Sequence, residues 1–154
     1  MGLLSFIKNA GAKLFGHKEI AEAPVTEQAH LKASALLAHV QSMSLPFNTL
    51  SVKLNNDNSV DISGEVDHQV DAEKIALTVG NVEGVESVDN NMTVATPAPD
   101  SRYHTVVSGD WLSKIAQTYY GDANKYNVIF EANKPMLSDP DKIYPGQLLR
   151  IPNL

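Results

Sequence analysis

Thr96-Pro97-Ala98-Pro99-Asp100-Ser101 is the stretch that most constrains the fold: two prolines among small residues favour an extended backbone and cannot run through a helix or a central strand. It divides the 154 residues into two units, neither long enough for a large core. The chain has no cysteine, so disulfides, thiolate metal sites and cysteine nucleophiles are all excluded and both units must hold by packing alone. With 43% hydrophobic and 19% charged residues, the apolar material for that is present. A net charge of −6 argues against a nucleic-acid partner, which needs clustered Lys and Arg.

Ahead of the break the pattern has three parts. Leu3, Phe6, Ile7, Ala10, Leu14 and Phe15 recur at helical spacing, so residues 2–16 are expected to form a short amphipathic helix, open to interruption at Gly11 and ended by Gly16. Docking on the protein's own surface suits it better than membrane binding, since only Lys8, Lys13 and Lys18 flank the apolar face. A polar linker is expected from His17 to Val25. The N-terminus lacks the sustained apolar run and cleavage site of a signal peptide, and Phe6 stands where a myristoylation signal needs a hydroxyl residue. No stretch approaches the ~20 apolar residues of a membrane span. The chain is therefore expected to be soluble and cytoplasmic.

Thr26 is expected to cap a helix running through Ala33, Leu36, Leu37 and Val40 to about Met43, stopped by Ser44-Leu45-Pro46. Leu50 to Leu54 and Val60 to Val66 alternate apolar and polar residues around the turn Asn55-Asn56-Asp57-Asn58, a β-hairpin. A helix from Asp71 turns Ile75, Ala76 and Val79 inward, Gly80-Asn81 and Gly84 break it, and Val85 to Val94 alternates again. The order helix, strand, strand, helix, strand describes a small sheet with helices on one face, an α+β unit. Three segments carry a likeness to a family: Val60 to Val66, Glu73 to Leu77, and Val82-Glu83-Gly84-Val85-Glu86-Ser87-Val88-Asp89-Asn90. From Thr26 to about Thr96 the chain resembles the BON family.

Beyond the break, Tyr103 to Val107 reads as a strand and Ser108-Gly109-Asp110 as a turn. A helix follows with Leu112, Ile115 and Ala116 inward, then a second from about Ala123 to Ala132 with Tyr126, Ile129 and Phe130 inward, and last a strand from Leu148 to Pro152. Val-x-Ser-Gly-Asp-x-Leu-x-x-Ile, Tyr-Gly, Asn-x-Ile-x-x-Ala-Asn and Ile-Tyr-Pro-Gly-Gln-x-Leu-x-Ile-Pro occur in order, so residues 103–154 resemble a LysM module of strand-helix-helix-strand form. The resemblance implies a shallow groove for N-acetylglucosamine-containing glycans. Its matching positions are Gly109, Asp110, Trp111 and Leu112 on one side and Asn133, Lys134, Pro135 and Met136 on the other. Trp111 departs from the small hydroxyl residue usual there, and an interdomain contact is the preferred role for it over stacking on a sugar.

Met1-Gly2-Leu3, Phe6 to Gly11, Lys13-Leu14, Ala95 to Ala98 and Phe130 to Leu137 extend the likeness over nearly the whole chain, which resembles the bacterial potassium-binding proteins of the BON-LysM type. That resemblance implies a cytoplasmic, non-enzymatic binder of K+, a sensor or buffer linked to osmotic or ionic stress, with the potassium ion, or a larger alkali ion, as its partner and one copy as the working unit. A weakly hydrated monovalent ion is best held by carbonyl oxygens without carboxylates, and helix C-termini offer such oxygens. The expected ligands are the carbonyls of Ile7, Lys8, Ala10, Met43 and Leu45, with the ion drawing a looser molecule into a compact one. The acidic pairs Asp57/Asp61 and Asp139/Asp141 read as solvated carboxylates in turns and at edges. His17, His30, His39, His68 and His104 lack zinc spacing, no serine shows a nucleophile-base pattern, and no enzyme activity is expected.

Overall fold

A computed structural model describes residues 2–16, 20 and 22–154. The first unit is a four-stranded sheet of order β1-β4-β3-β2, made of β1 (Leu3–Ser5), β2 (Thr49–Leu54), β3 (Ser59–His68) and β4 (Ser87–Thr96), packed against α1 (Val25–Ser42) and α2 (Gln69–Gly80). β2 and β3 form the expected hairpin, with Leu54 opposite Val60 and Thr49 opposite Glu65. β3 and β4 run parallel, so the chain must cross over between them, and α2 is that crossover. Val60, Ile62 and Val66 from β3 and Val88 and Met92 from β4 face α1's Leu36 and Val40 and α2's Ile75, Ala76 and Val79, all buried. The alternation of the strands and the helical spacing of the helices thus meet in one core.

The N-terminal segment differs from the helix its spacing suggests. Leu3–Ser5 is an edge strand antiparallel to β4, with Leu4 opposite Val88, and residues 6–16 continue as turns. Pairing with an open sheet edge satisfies the backbone groups of Leu3–Ser5, and the apolar side chains beyond find places that an isolated helix could not reach: Phe6, Leu14 and Phe15 pack on the core. The Phe6 ring lies directly over Gly80, where any Cβ would overlap it. Gly11 has φ +112°, outside helical conformation, and lies so close to Asn81 that a Cβ would overlap its carbonyl. At α1, Pro24 occupies the N-cap position and Thr26 falls inside the first turn rather than at the cap. The linker expected over His17 to Val25 lies in part outside the described residues.

The second unit has β5 (Arg102–Thr105), α3 (Leu112–Tyr120), a 3-10 turn at Ala123–Lys125 running straight into α4 (Tyr126–Ala132), and β6 (Leu148–Ile151) antiparallel to β5. Its core holds Val106, Leu112, Ile115, Ala116, Ile129, Leu149 and Ile151. Tyr126, expected inward, is 37% exposed, because the 3-10 turn shifts the helical phase and leaves Ile129 as the buried side chain. Residues 97–101 connect the two units, and two of them are fastened: Gln69 Nε2 donates to Asp100 Oδ1 at 2.8 Å, and Ser101 donates to Glu73 through both its N–H and its hydroxyl.

Candidate functional site

Four segments distant in sequence converge on one cleft of about 230 Å³. The N-terminal turn contributes Gly11 and Ala12, the C-terminal end of α1 contributes His39 and Met43, and the end of α2 contributes Thr78 and Asn81. Met136, Tyr144 and Gln147 of the second unit complete the lining. None of these is an acid, a lysine or an arginine. Burial pulls the His39 pKa below its ordinary value, so the ring is neutral at pH 7, and burial pushes the Tyr144 phenol upward, so it is neutral too. The cleft is therefore uncharged in its side chains while the negative ends of two helix dipoles open onto it.

Local backbone explains the convergence. Ala12 N–H donates to Asn81 O at 3.0 Å and Ala12 O accepts from Glu83 N–H at 2.9 Å, so the N-terminal turn is held along the segment leaving α2. The second unit closes from above. A Cβ on Gly146 would stand 2.7 Å from that of Ala10 and 3.3 Å from that of Ile7, so only glycine lets the 144–147 turn approach this closely. Among the described residues, no protein donor is bonded to the carbonyls of Ala10, Gly11 and Met43. Gln147, 3% exposed, carries the one buried side-chain oxygen that lacks a donor among the described residues.

The five expected ion ligands separate accordingly. Ile7 and Ala10 lie at the contact with Gly146 and Met43 lines the cleft, so these three are brought to one junction. Ile7 O accepts from Ala10 N–H at 3.1 Å within the turn. Lys8 O accepts from Gly84 N–H at 2.6 Å, and Leu45 is buried in the core of the first unit, away from the cleft lining. Sequence reasoning missed the end of α2 and the 144–147 turn. The Gly80-Asn81 break marks the first of these as a helix end, and Pro145-Gly146 marks the second as a tight turn.

The glycan groove positions are divided. Asn133 is 1% exposed and clamps Arg150, accepting from its N–H at 2.8 Å and donating to its carbonyl at 2.9 Å. Lys134, Pro135 and Met136 line a small crevice with Lys74, Leu77 and Thr78 of α2. Asp110 closes that turn, bonding Val107 N–H at 3.0 Å and His104 Nε2 at 2.8 Å; burial raises its carboxyl, but those partners and Lys114 hold it below the usual range. Leu112 is buried in the core, and Trp111, expected as an interdomain contact, is 58% exposed. Its neighbours are Leu112, Ser113, Tyr126, Pro140 and Asp141, with Lys114 Nζ 5.2 Å from its ring centre. The domain joint is made elsewhere. Arg150 Nε donates to Glu73 Oε1 at 2.8 Å, both side chains being buried, and Asn81 reaches Leu148.

The acidic pairs are engaged locally: Asp57 accepts from Ser59 in the hairpin turn, Asp61 on β3 accepts from Asn55 Nδ2, and Asp139 accepts from Asp141 N–H. Among the described residues no group of three or more His, Cys, Asp or Glu is placed to hold a metal, and no helix is long and apolar enough to cross a membrane. The cleft lining holds no carboxylate and no thiolate, and what it presents besides neutral side chains is backbone.

Both units match known domain families. The BON domain family matches residues 28–96 and the LysM domain family residues 104–152. The chain is 45% identical over 156 residues to the potassium binding protein Kbp of Escherichia coli O6:H1, covering 99% of each. It is 35% identical over 131 residues to an uncharacterized protein of Deinococcus radiodurans, covering 78% of this chain and 51% of that one. A shorter match, 45% identical over 53 residues, covers 34% of the chain and 11% of the esterase MT1326 of Mycobacterium tuberculosis. With both domains in the same order and the full-length identity to Kbp, the chain belongs to the family of BON-LysM proteins that includes Kbp.

Proposed function

We propose that the protein is a non-enzymatic, cytoplasmic K+ binder, working as a sensor or buffer under osmotic or ionic stress and becoming more compact when the ion is bound. The observation that carries this reading is the lining of the cleft at the domain junction: Gly11 and Met43, whose carbonyls no protein donor among the described residues engages, two helix C-termini, and no charged side chain, with the equally unengaged carbonyl of Ala10 next in the chain. Such a lining suits a weakly hydrated monovalent cation and disfavours Ca2+ or Mg2+, which call for carboxylates. The likeness to a protein named for potassium binding supports the same ion. Because the lining comes from both domains, an ion held there favours the docked arrangement over an open one by its differential affinity for the two.

The test is a thermal-unfolding titration of the dialysed protein with KCl, against NaCl and choline chloride at equal ionic strength to separate binding from screening. A ligand of the native state stabilises it by RT ln(1 + [L]/Kd), about 2.7 kcal/mol at a hundredfold excess over Kd. A saturable rise specific to KCl is expected; identical curves in the three salts would refute the reading.

One observation favours a second activity. Trp111 and Tyr126 stand exposed together beside Pro140, an aromatic surface able to stack on the apolar face of a sugar. Retention on peptidoglycan that Trp111→Ala abolishes is the outcome this reading requires, and lack of retention of the parent protein removes it.

A further inference from the structure

We propose that Asn81 is the positioning residue that couples cation occupancy at the N-terminal turn to docking of the second domain. This inference rests on the K+ reading. Asn81 is 6% exposed and holds Leu77, Ala12, Leu148 and Met136 at once, the last through Nδ2 donating to Sδ at 3.3 Å. Its N–H closes α2 on Leu77 O at 2.9 Å, and its carbonyl accepts from Ala12 N–H at 3.0 Å. Its amide side chain crosses the domain boundary, donating from Nδ2 to Leu148 O and accepting at Oδ1 from Leu148 N–H, each at 2.9 Å.

The chemistry of that crossing is strand pairing by a side chain. β6 pairs with β5 on one edge only, and an unpaired strand edge presents N–H and C=O groups at every second residue. On the outer edge of β6 these belong to Leu148 and Arg150, and each is met by an asparagine amide making the same two bonds. Asn133 serves Arg150 from within the second domain, whereas Asn81 serves Leu148 from the first.

The two asparagines therefore differ in what they report to β6. Asn133 is otherwise bonded to Ile129 O, inside its own domain. Asn81 is bonded to the turn whose carbonyls face the proposed ion, and Gly11 packs directly on the Asn81 carbonyl. When those carbonyls turn inward to meet a cation, Ala12 moves with them, and through the Asn81 backbone the amide is brought into or out of register with Leu148. Occupancy and docking become one equilibrium.

The matched pair of asparagines supplies the experiment. The radius of gyration by small-angle X-ray scattering and the thermal midpoint are followed during KCl titration, with choline chloride as control, for the parent protein, Asn81→Ala and Asn133→Ala. Each variant loses two buried bonds to the outer edge of β6, together with one further bond, to Met136 Sδ for Asn81 and to Ile129 O for Asn133, so lost stability lowers the thermal midpoint of both and the shift in the KCl dependence of compaction is the readout that separates coupling from stability. For Asn81→Ala, the KCl concentration giving half-maximal compaction is expected to rise about tenfold or more, the scale of two lost buried hydrogen bonds. For Asn133→Ala, a lower thermal midpoint with the compaction response intact is expected. Asn81→Gln keeps an uncharged amide but sets it one methylene off Leu148, and should fall between the parent and Asn81→Ala; it decides the matter if Asn81→Ala does not fold. Compaction of the Asn81 variants at the parent's KCl concentration would overturn the coupling while leaving K+ binding intact. A parent protein with no KCl-specific response overturns both.

Discussion

At the scale of single residues, Glu73 and Gln147 show how buried polar groups gain or lose from their surroundings. Glu73 is 2% exposed, and burial alone would raise its carboxyl. Arg150, Ser101 and Gln69 outweigh that and hold it below the ordinary carboxylate range. A depressed folded-state pKa stabilises the native protein above the unfolded value of about 4.3, and the contribution is lost as pH falls through the folded value. Glu73→Gln is therefore expected to lower stability at pH 7 by about 3 kcal/mol, the scale of breaking a buried pair, with the deficit shrinking towards pH 3. Thermal midpoints of the two proteins at both pH values check it. Gln147 is the opposite case, since a buried oxygen without a donor costs about 1–3 kcal/mol. In choline chloride, Gln147→Met is expected to raise the thermal midpoint by about 2–4 °C, equivalent to about 1 kcal/mol.

At the scale of elements, the N-terminal turn is held by its backbone rather than by a helical face. Gly11→Ala would place a Cβ against the Asn81 carbonyl in a conformation only glycine tolerates, so a loss of about 2 kcal/mol or more is expected in urea unfolding. This turn also shows where sequence reading stops. Hairpin β2–β3 and helix α2 were legible because alternation and helical spacing coincide with burial: Val60 and Ile62 on the strand, Ile75 and Val79 on the helix. The spacing of Leu3, Phe6, Ile7 and Ala10 is equally helical, but a free edge on β4 pairs with Leu3–Ser5, and no local pattern records that a strand more than eighty residues away leaves an edge open. The cleft was half legible for a related reason. Carbonyl groups belong to every residue, so only the stops at Gly11 and Pro46 pointed to Ala10 and Met43, and nothing local joined them to Thr78 or Gln147.

At the scale of the whole molecule, docking rests on Glu73 with Arg150 and on Asn81 with Leu148, and Trp111 takes no part in it. Trp111→Ala is accordingly expected to change stability by no more than about 0.5 kcal/mol and to leave the KCl response unaltered, as the same salt titrations would register. The cleft draws one wall from residues 11–12, two from the helix ends at 39–43 and 78–81, and its cover from 136–147. That division has a consequence for how the activity can spread between proteins. Gene rearrangements that move a LysM unit alone carry its fold into a new host, because its core is its own, but they leave most of the proposed cation cleft behind. On the proposed site, the capacity passes only to a chain that keeps the opening turn, the α2 end and the closing strand together, and recombination at the proline-rich junction would erase it at a single stroke.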